Sequence, residues 1–330
     1  MNILVTGATG FIGRRLVERL LDAGHSCRCL VRQTKGLESV FYRPNVSLFV
    51  GDVTDLNSLQ DIGNNIDAAY HLAGAGHVSA VSGRETLQSF NINVGGTRNL
   101  VRACGLSSVR RVIHFSSTAA MGLIKRPKID ENSKCRPRTP CQKSKYASEI
   151  AALQESKKYG TEVVILRPCM VFGPGCKSEF LKFCRLVNKG IFPRIGLGKN
   201  LTPIVHVNDV VQAAVKALQK GKPGEVYIIA SRESPPLQDI HRFICAGLDI
   251  SRPYFYVPVW VAYMAAFFME HVAAVTGKEP LVSRMNITST ITGRTFDIQK
   301  AMKELSYCPE MDLGKAISQT ARHFRAASIL

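Results

Sequence analysis

Thr6-Gly7-Ala8-Thr9-Gly10-Phe11-Ile12-Gly13 is the stretch whose reading decides the fold. It follows the apolar run Ile3-Leu4-Val5 directly. It then opens an amphipathic segment over 11–23, with Ile12, Leu16, Leu20 and Leu21 on one side and a stop at Gly24. In this strand–turn–helix context the three glycines have separate physical tasks. Gly7 permits a tight turn, Gly10 lets the backbone approach a pyrophosphate, and Gly13 brings helix against strand. The free N–H groups and the dipole at the helix start then favour the phosphates of a bound dinucleotide.

Working outward, short apolar runs alternate with amphipathic ones. Strands are expected at 2–6, 26–31, 46–50, 67–72, 111–116 and 162–166, and helices at 11–23, 55–62, 84–104 and 141–159. Repeated βαβ units of this kind predict an α/β fold, a Rossmann-type doubly wound parallel sheet. From about residue 168 the pattern breaks into Gly- and Pro-rich segments between helices such as 178–189 and 208–219. The expected organisation is a dinucleotide-binding domain over 1–167, to which 203–230 returns, and a small C-terminal substrate-binding lobe drawn mainly from 168–330.

The end of the second strand reads Cys29-Leu30-Val31-Arg32-Gln33, with no acid before Glu38. An NAD site places an acid about twenty residues past the glycines to accept from the ribose hydroxyl. Arg32 is suited instead to a 2′-phosphate, so NADP is favoured, with NAD retained as an alternative.

Composition narrows the partners. The ten cysteines include no CxxC pair and read as reduced thiols in a cytosolic compartment, with no metal site expected. No signal peptide precedes the first strand, so the expected location is cytoplasmic. The net charge of +18 is concentrated: residues 177–222 carry nine Lys or Arg against Glu179 and Asp209. That excess is either a solvated basic face or a surface for an anionic substrate or membrane; no nucleic-acid-binding motif accompanies it. Residues 257–269 form an apolar run of thirteen, short of the ~20 needed to span a bilayer, interrupted by Glu270 and His271. It reads first as a buried helix, and second as a substrate-channel helix or a peripheral membrane contact.

A set of ordered motifs resembles the extended short-chain dehydrogenase/reductase family: TGATGFIG at 6–13, GDVTD at 51–55, HLAG at 71–74, NVGGT at 93–97, SSTAAMG at 116–122, RPCMVFGPG at 167–175 and VHVNDV at 205–210. The final third, with EPLVSR at 279–284 and TFDIQKAMKELSY at 295–307, is most similar to the 3β-hydroxysteroid dehydrogenase and dihydroflavonol reductase branch. The resemblance implies Asp52 and Val53 against the adenine. It implies Leu72, Ala73 and Gly74 along the pyrophosphate and ribose, and Pro168 and Val171 at the nicotinamide end. A homodimer formed through 84–104 and 141–159 is implied by the same analogy.

The family's catalytic set is a Ser or Thr, a Tyr and a Lys. Here the motif count gives Ser117 and Lys145, while the tyrosine position, four residues before the lysine and just after Pro140, is Cys141. A thiol beside a cation can ionise. Its reach is the difficulty, since proton transfer needs a heavy-atom contact of ~2.6–3.2 Å or one bridging water. Tyr146 lies ~140° around the helix from Cys141 and faces elsewhere. Three readings stay open. One is an NAD(P)-dependent oxidoreductase or epimerase acting on a hydroxyl or keto group of a bulky sterol-like or flavonol-like substrate, with a nucleotide-sugar epimerase or dehydratase as its near alternative. The second uses Cys141 as a nucleophile. The third is a non-catalytic dinucleotide-binding protein.

Overall fold

Seven parallel strands form the central sheet, in the order β11-β7-β5-β4-β1-β2-β3. The computed structural model describes residues 1–330 apart from 77–82, 125, 127, 277–279 and 281. Its first half runs β1 (Asn2–Thr6), α1 (Phe11–Asp22), β2 (Ser26–Val31), β3 (Val46–Val50), β4 (Ala68–His71), α2 (Gly83–Phe90), α3 (Gly96–Leu106), β5 (Arg111–Phe115), β6 (Lys128–Ile129), α4 (Pro140–Tyr159) and β7 (Glu162–Pro168). The second half runs β8 (Met170–Phe172), α5 (Glu179–Asn188), β9 (Pro193–Ile195), β10 (Ile204–His206), α6 (Val207–Lys220), β11 (Val226–Ile229), α7 (Leu237–Leu248) and β12 (Phe255–Val257). It closes with α8 (Val259–Thr276), α9 (Arg284–Ile291), β13 (Thr295–Phe296), α10 (Gln299–Leu305) and α11 (Leu313–Ala326).

The chain winds outward from β1 through β2 to β3, then crosses back to β4 on the other side of β1. This reversal opens a crevice at the carboxyl ends of β1 and β4, where doubly wound sheets bind ligands. Both sheet faces are covered, so the strands read as continuous apolar runs. Ile3 and Val5 join one core with Leu16 and Leu20 of α1 and Val210 of α6. Leu4 points the other way, into a core with Leu100 and Cys104 of α3 and Ala152 of α4. Cys27 and Cys29, two apart on β2, both face the first core. The later chain adds a third core between α5, α7 and α11, and a small fourth one around Ile195, Ala262, Ala266 and Ile287.

Four expectations need correction. The helix expected at 55–62 is a single 3₁₀ turn, Asn57–Leu59. Its polar side chains bond locally instead: Asp55 accepts from the Asn57 N–H, Ser58 Oγ donates to the Asp55 carbonyl, and Asp61 adopts a positive φ. The segment 84–104 is interrupted by a π turn, Asn91–Gly95, between α2 and α3. A seventh strand, β11, joins the sheet beside β7. Finally, the run 257–269 is not a buried helix: among its described residues α8 fully buries only Ala262, Ala266 and Ala273, packs Val259 and Tyr263 partly against the fourth core, and leaves Trp260, Met264, Phe267, Phe268, Val272 and Val275 exposed.

Helix α4 carries the candidate catalytic residues. Thr139 caps it in a reciprocal capping box with Gln142, and Pro140 starts the first turn. Its middle is fixed by a buried ion pair. Arg167 of β7 donates from Nε and Nη2 to the two Glu149 oxygens at 2.8 and 2.6 Å, and Ser116 Oγ donates to the same carboxylate. The Arg167 and Glu149 side chains are 5% and 4% exposed. Removing one partner strands the other charge in a dry site. Glu149→Ala is therefore expected to lower unfolding free energy by about 3–5 kcal/mol in denaturant titration, with Glu149→Leu/Arg167→Met less destabilised than the single change.

Candidate functional site

The crevice begins where β1 ends. Gly7 has φ +67°, and a Cβ there would fall 2.6 Å from the Ala73 nitrogen and the Leu72 carbonyl carbon. A Cβ on Gly13 would fall 2.2 Å from the Gly7 carbonyl oxygen. The turn, the start of α1 and the end of β4 are thus in backbone contact, which no side-chain-bearing residue would allow. Gly10 caps α1 with no side-chain hydrogen bond, and no acid occupies the first turn. Phe11 and Ile12 turn their side chains into the third and first cores, while Thr9 is exposed. The helix therefore offers its first N–H groups and positive end to the crevice, a cradle that suits a pyrophosphate.

The other strand ends line the same edge. Arg32, just past β2, is exposed, and its charge helps hold the Asp52 carboxyl below the usual range. The larger cause is the Thr54 N–H, donated to Asp52 Oδ1 at 2.8 Å; the Thr54 hydroxyl adds a second bond. Val53 differs from its neighbour. Its side chain is only 7% exposed and packs on Gly96, and its carbonyl accepts from Asn99. Glu38, the first acid after β2, is paired with Arg14 of α1.

A hydrogen-bond chain runs beneath the crevice. The Ala73 N–H donates to Thr6 Oγ1 (3.3 Å), which meets His71 Nδ1 at 2.8 Å; His71 Nε2 meets Thr97 Oγ1 at 3.0 Å, which donates to the Asn93 carbonyl. Because Thr97 spends its proton on Asn93, this order assigns the ring proton to Nε2. Burial pushes His71 down to about 3, and the stacked His114 well below its ordinary value, so both rings are neutral.

That chain ends at Asn93, a residue whose role the sequence did not reveal. The π turn carries its buried side chain against α4, where Oδ1 accepts from the Ala75 N–H (2.9 Å) and from Lys145 Nζ (3.3 Å), while Nδ2 donates to Ser144. Lys145 Nζ is so close over Gly74 that a Cβ there would fall 2.9 Å away. Burial lowers the Lys145 pKa, with the neighbouring Cys141 opposing. The motif NVGGT contained the only signal for Asn93.

Cys141 is one helical turn before Lys145, and its thiol reaches toward the Gly76 carbonyl at 3.5 Å. Ser117 follows β5 and caps the 3₁₀ turn Thr118–Met121, accepting from the Ala119 N–H at 3.1 Å and facing the Pro168 carbonyl at 3.5 Å. Pro168 ends β7 and Val171 lies in β8, half-buried. Tyr146 makes no hydrogen bond to Ser117, Cys141 or Lys145. Arg294, beyond α9, reaches toward the Gly122 carbonyl at 3.5 Å and pairs with no carboxylate among the described residues. The strand ends, Ser117 and the Cys141–Lys145 face of α4 thus border one crevice.

The family model for the NAD dependent epimerase/dehydratase family matches residues 3–230. Among curated proteins, the chain is 28% identical over 335 residues to the UDP-glucose 4-epimerase of Vibrio cholerae, covering 99% of this chain and 96% of that one. It is 28% identical over 340 residues to a putative dihydroflavonol 4-reductase of Synechocystis sp., covering 97% and 94%. Among solved structures, that of gox2253 superposes with a TM-score of 0.82 at 28% identity, over 98% of each chain.

The lysine's lowered pKa has a measurable consequence. If the Lys145 ammonium holds an anionic dinucleotide, that contact is lost as pH rises through its pKa, so dinucleotide affinity should begin to drop at a pH below the ordinary lysine value of about 10.4. Asn93→Leu removes the acceptor and deepens the burial. Fluorescence titration with NADPH should show affinity reduced about tenfold and an alkaline fall displaced to lower pH.

Proposed function

The chain belongs to the NAD dependent epimerase/dehydratase family of enzymes, and on that premise we propose that it is an NADP-using oxidoreductase or epimerase acting on a hydroxyl or keto group of a bulky substrate. Lys145 carries this reading. A buried ammonium costs desolvation energy, yet Asn93, Gly74 and the π turn are all arranged to hold it at the crevice. Gly7, Gly10, Gly13, Asp52, Leu72, Ala73, Gly74, Pro168 and Val171 would hold the dinucleotide, which when bound supplies or accepts a hydride.

Reduction of a keto group builds negative charge on its oxygen, which needs a proton or a donor. Ser117 is oriented for this: its oxygen accepts from Ala119, leaving the hydroxyl proton free to turn from the weak Pro168 contact toward a substrate oxygen. Lys145, with its pKa lowered by burial, is a stronger acid than a free lysine. Cys141 is shorter than a tyrosine by a whole ring, so a water in that space bridges Lys145 to the substrate. The exposure of Arg32 at the end of β2, while Glu38 is engaged by Arg14, supports a 2′-phosphate there.

A nucleotide-sugar substrate is the second reading, favoured by Arg294: a half-buried guanidinium without a carboxylate partner among the described residues, next to the Ser117 turn, suits a diphosphate. The family analogy also supports a homodimer through α2, α3 and α4, which leave Leu87, Leu106 and Ile150 exposed.

Purified protein should oxidise NADPH with at least one ketone from a panel of sterol-like, flavonol-like and nucleotide-sugar compounds. Cys141→Tyr should raise kcat tenfold or more, given the ~10²–10⁴-fold value of a positioned general acid. No turnover by either protein on any compound would sink the oxidoreductase reading. Separately, Arg32→Ala should weaken NADPH at least about tenfold while leaving NADH unchanged, because a charge-assisted phosphate contact is worth ~1.5–3 kcal/mol; equal losses for both cofactors would refute the 2′-phosphate assignment.

A further inference from the structure

Helix α8 is amphipathic in the reverse sense. At 100° per residue, Trp260, Met264, Phe267, Phe268, Val272 and Val275 fall within one arc of about 140°. All six are exposed, Trp260 at 70%, Phe268 at 60% and Val275 at 88%, whereas Ala262, Ala266 and Ala273 on the opposite side are buried. A helix face of small residues packs inward and a face of large apolar ones meets solvent. His271, also within the arc, turns its Nδ1–H to the Phe267 carbonyl at 2.8 Å. The β9–β12 ribbon that leads into α8 continues the surface with exposed Leu197, Phe255 and Tyr256.

The rim of this surface has one sign. Residues 189–199 and 252–269 contain Lys189, Arg194, Lys199 and Arg252 and no carboxylate. Arg194 lies over the rings of Tyr254 and Tyr256, and the Arg252 side chain passes beside Gly190, so these cations cluster on the ribbon. The acid that follows, Glu270, is taken up by the Arg284 N–H and Nε, both at 2.7 Å. An apolar stripe flanked by cations complements an anionic lipid surface.

Two alternatives fit less well. No helix among the described residues is long and apolar enough to cross a membrane. A second copy of the chain is disfavoured by size and by charge. An 18-residue helix is about 27 Å long, and a stripe ~10 Å wide covers on the order of 270 Å², so the helix face alone is far below the ~800 Å² per partner of a stable interface. A two-fold contact would also set the basic rim against itself.

We propose that the outer face of α8, together with the β9–β12 ribbon, is a docking surface for an anionic phospholipid bilayer, with the helix lying in the headgroup plane. Trp260 is the chain's single tryptophan, so its fluorescence reports from the surface itself. The full-length protein, titrated with vesicles of phosphatidylcholine containing phosphatidylglycerol, should show a blue-shifted emission and should co-sediment. Pure phosphatidylcholine vesicles, or high salt, should reduce binding about tenfold or more. Phe268→Asp/Val272→Asp, changes at exposed positions, should abolish both signals while leaving circular dichroism and NADPH affinity unchanged. This readout is independent of turnover, so its failure is separate from failure of the oxidoreductase reading. Unchanged emission with anionic vesicles overturns the proposal. So does a blue shift without lipid that grows with protein concentration alongside a doubled mass in light scattering, which would give the face to a second copy.

Discussion

The backbone contact between the Gly7–Gly13 turn and the end of β4 is the constraint on which the crevice depends. A Cβ at Gly7 would collide with Leu72 and Ala73, and one at Gly13 with the Gly7 carbonyl. With both absent, α1 starts directly against the sheet edge and points its N–H groups across the switch between β1 and β4. Had the turn stood off by the width of a methyl group, the helix dipole would be displaced from the strand ends that complete the site. Close packing therefore does electrostatic work here, because a dipole's influence fades within its first turn.

A second layer of order holds the lysine. The run from Ala73 through Thr6, His71 and Thr97 to Asn93 ties the end of β4 to the π turn, and Asn93 passes that position to Lys145. On the other side of α4, Glu149 is clamped by Arg167 and Ser116. Neutral histidines suit such a place, since a protonated ring would add a second buried cation below the ammonium. With Cys141 at the position where the family resemblance implies a tyrosine, the hydrogen bond from Lys145 to Asn93 is still made.

The excess of positive charge acquires a location in the fold. Part of it lies on the β9–β12 ribbon beside an apolar helix face, and Arg294 lies near the Ser117 turn. These two places have different surroundings, one open and apolar, the other recessed and next to the Ser117 turn.

The sequence by itself determined the parts whose physics is local. The glycine turn and the α/β order of strands and helices follow from periodicity and spacing within a few residues, whereas Ser117, Cys141 and Lys145 are singled out by the family resemblance, which rests on equally local motifs. Where local chemistry was misjudged, as at 55–62, polar side chains had captured the backbone before a helix could form. Tertiary structure alone decided the rest, because it depends on residues distant in the chain. Asn93 became the lysine's partner only when a π turn brought it against α4, and Val53 turned inward only because Gly96 left room for it. The apolar run 257–269 has a composition that suits a core, but burial is set by what packs against a helix: the body of the protein receives the alanine side of α8 and leaves Trp260 and Phe268 in the open.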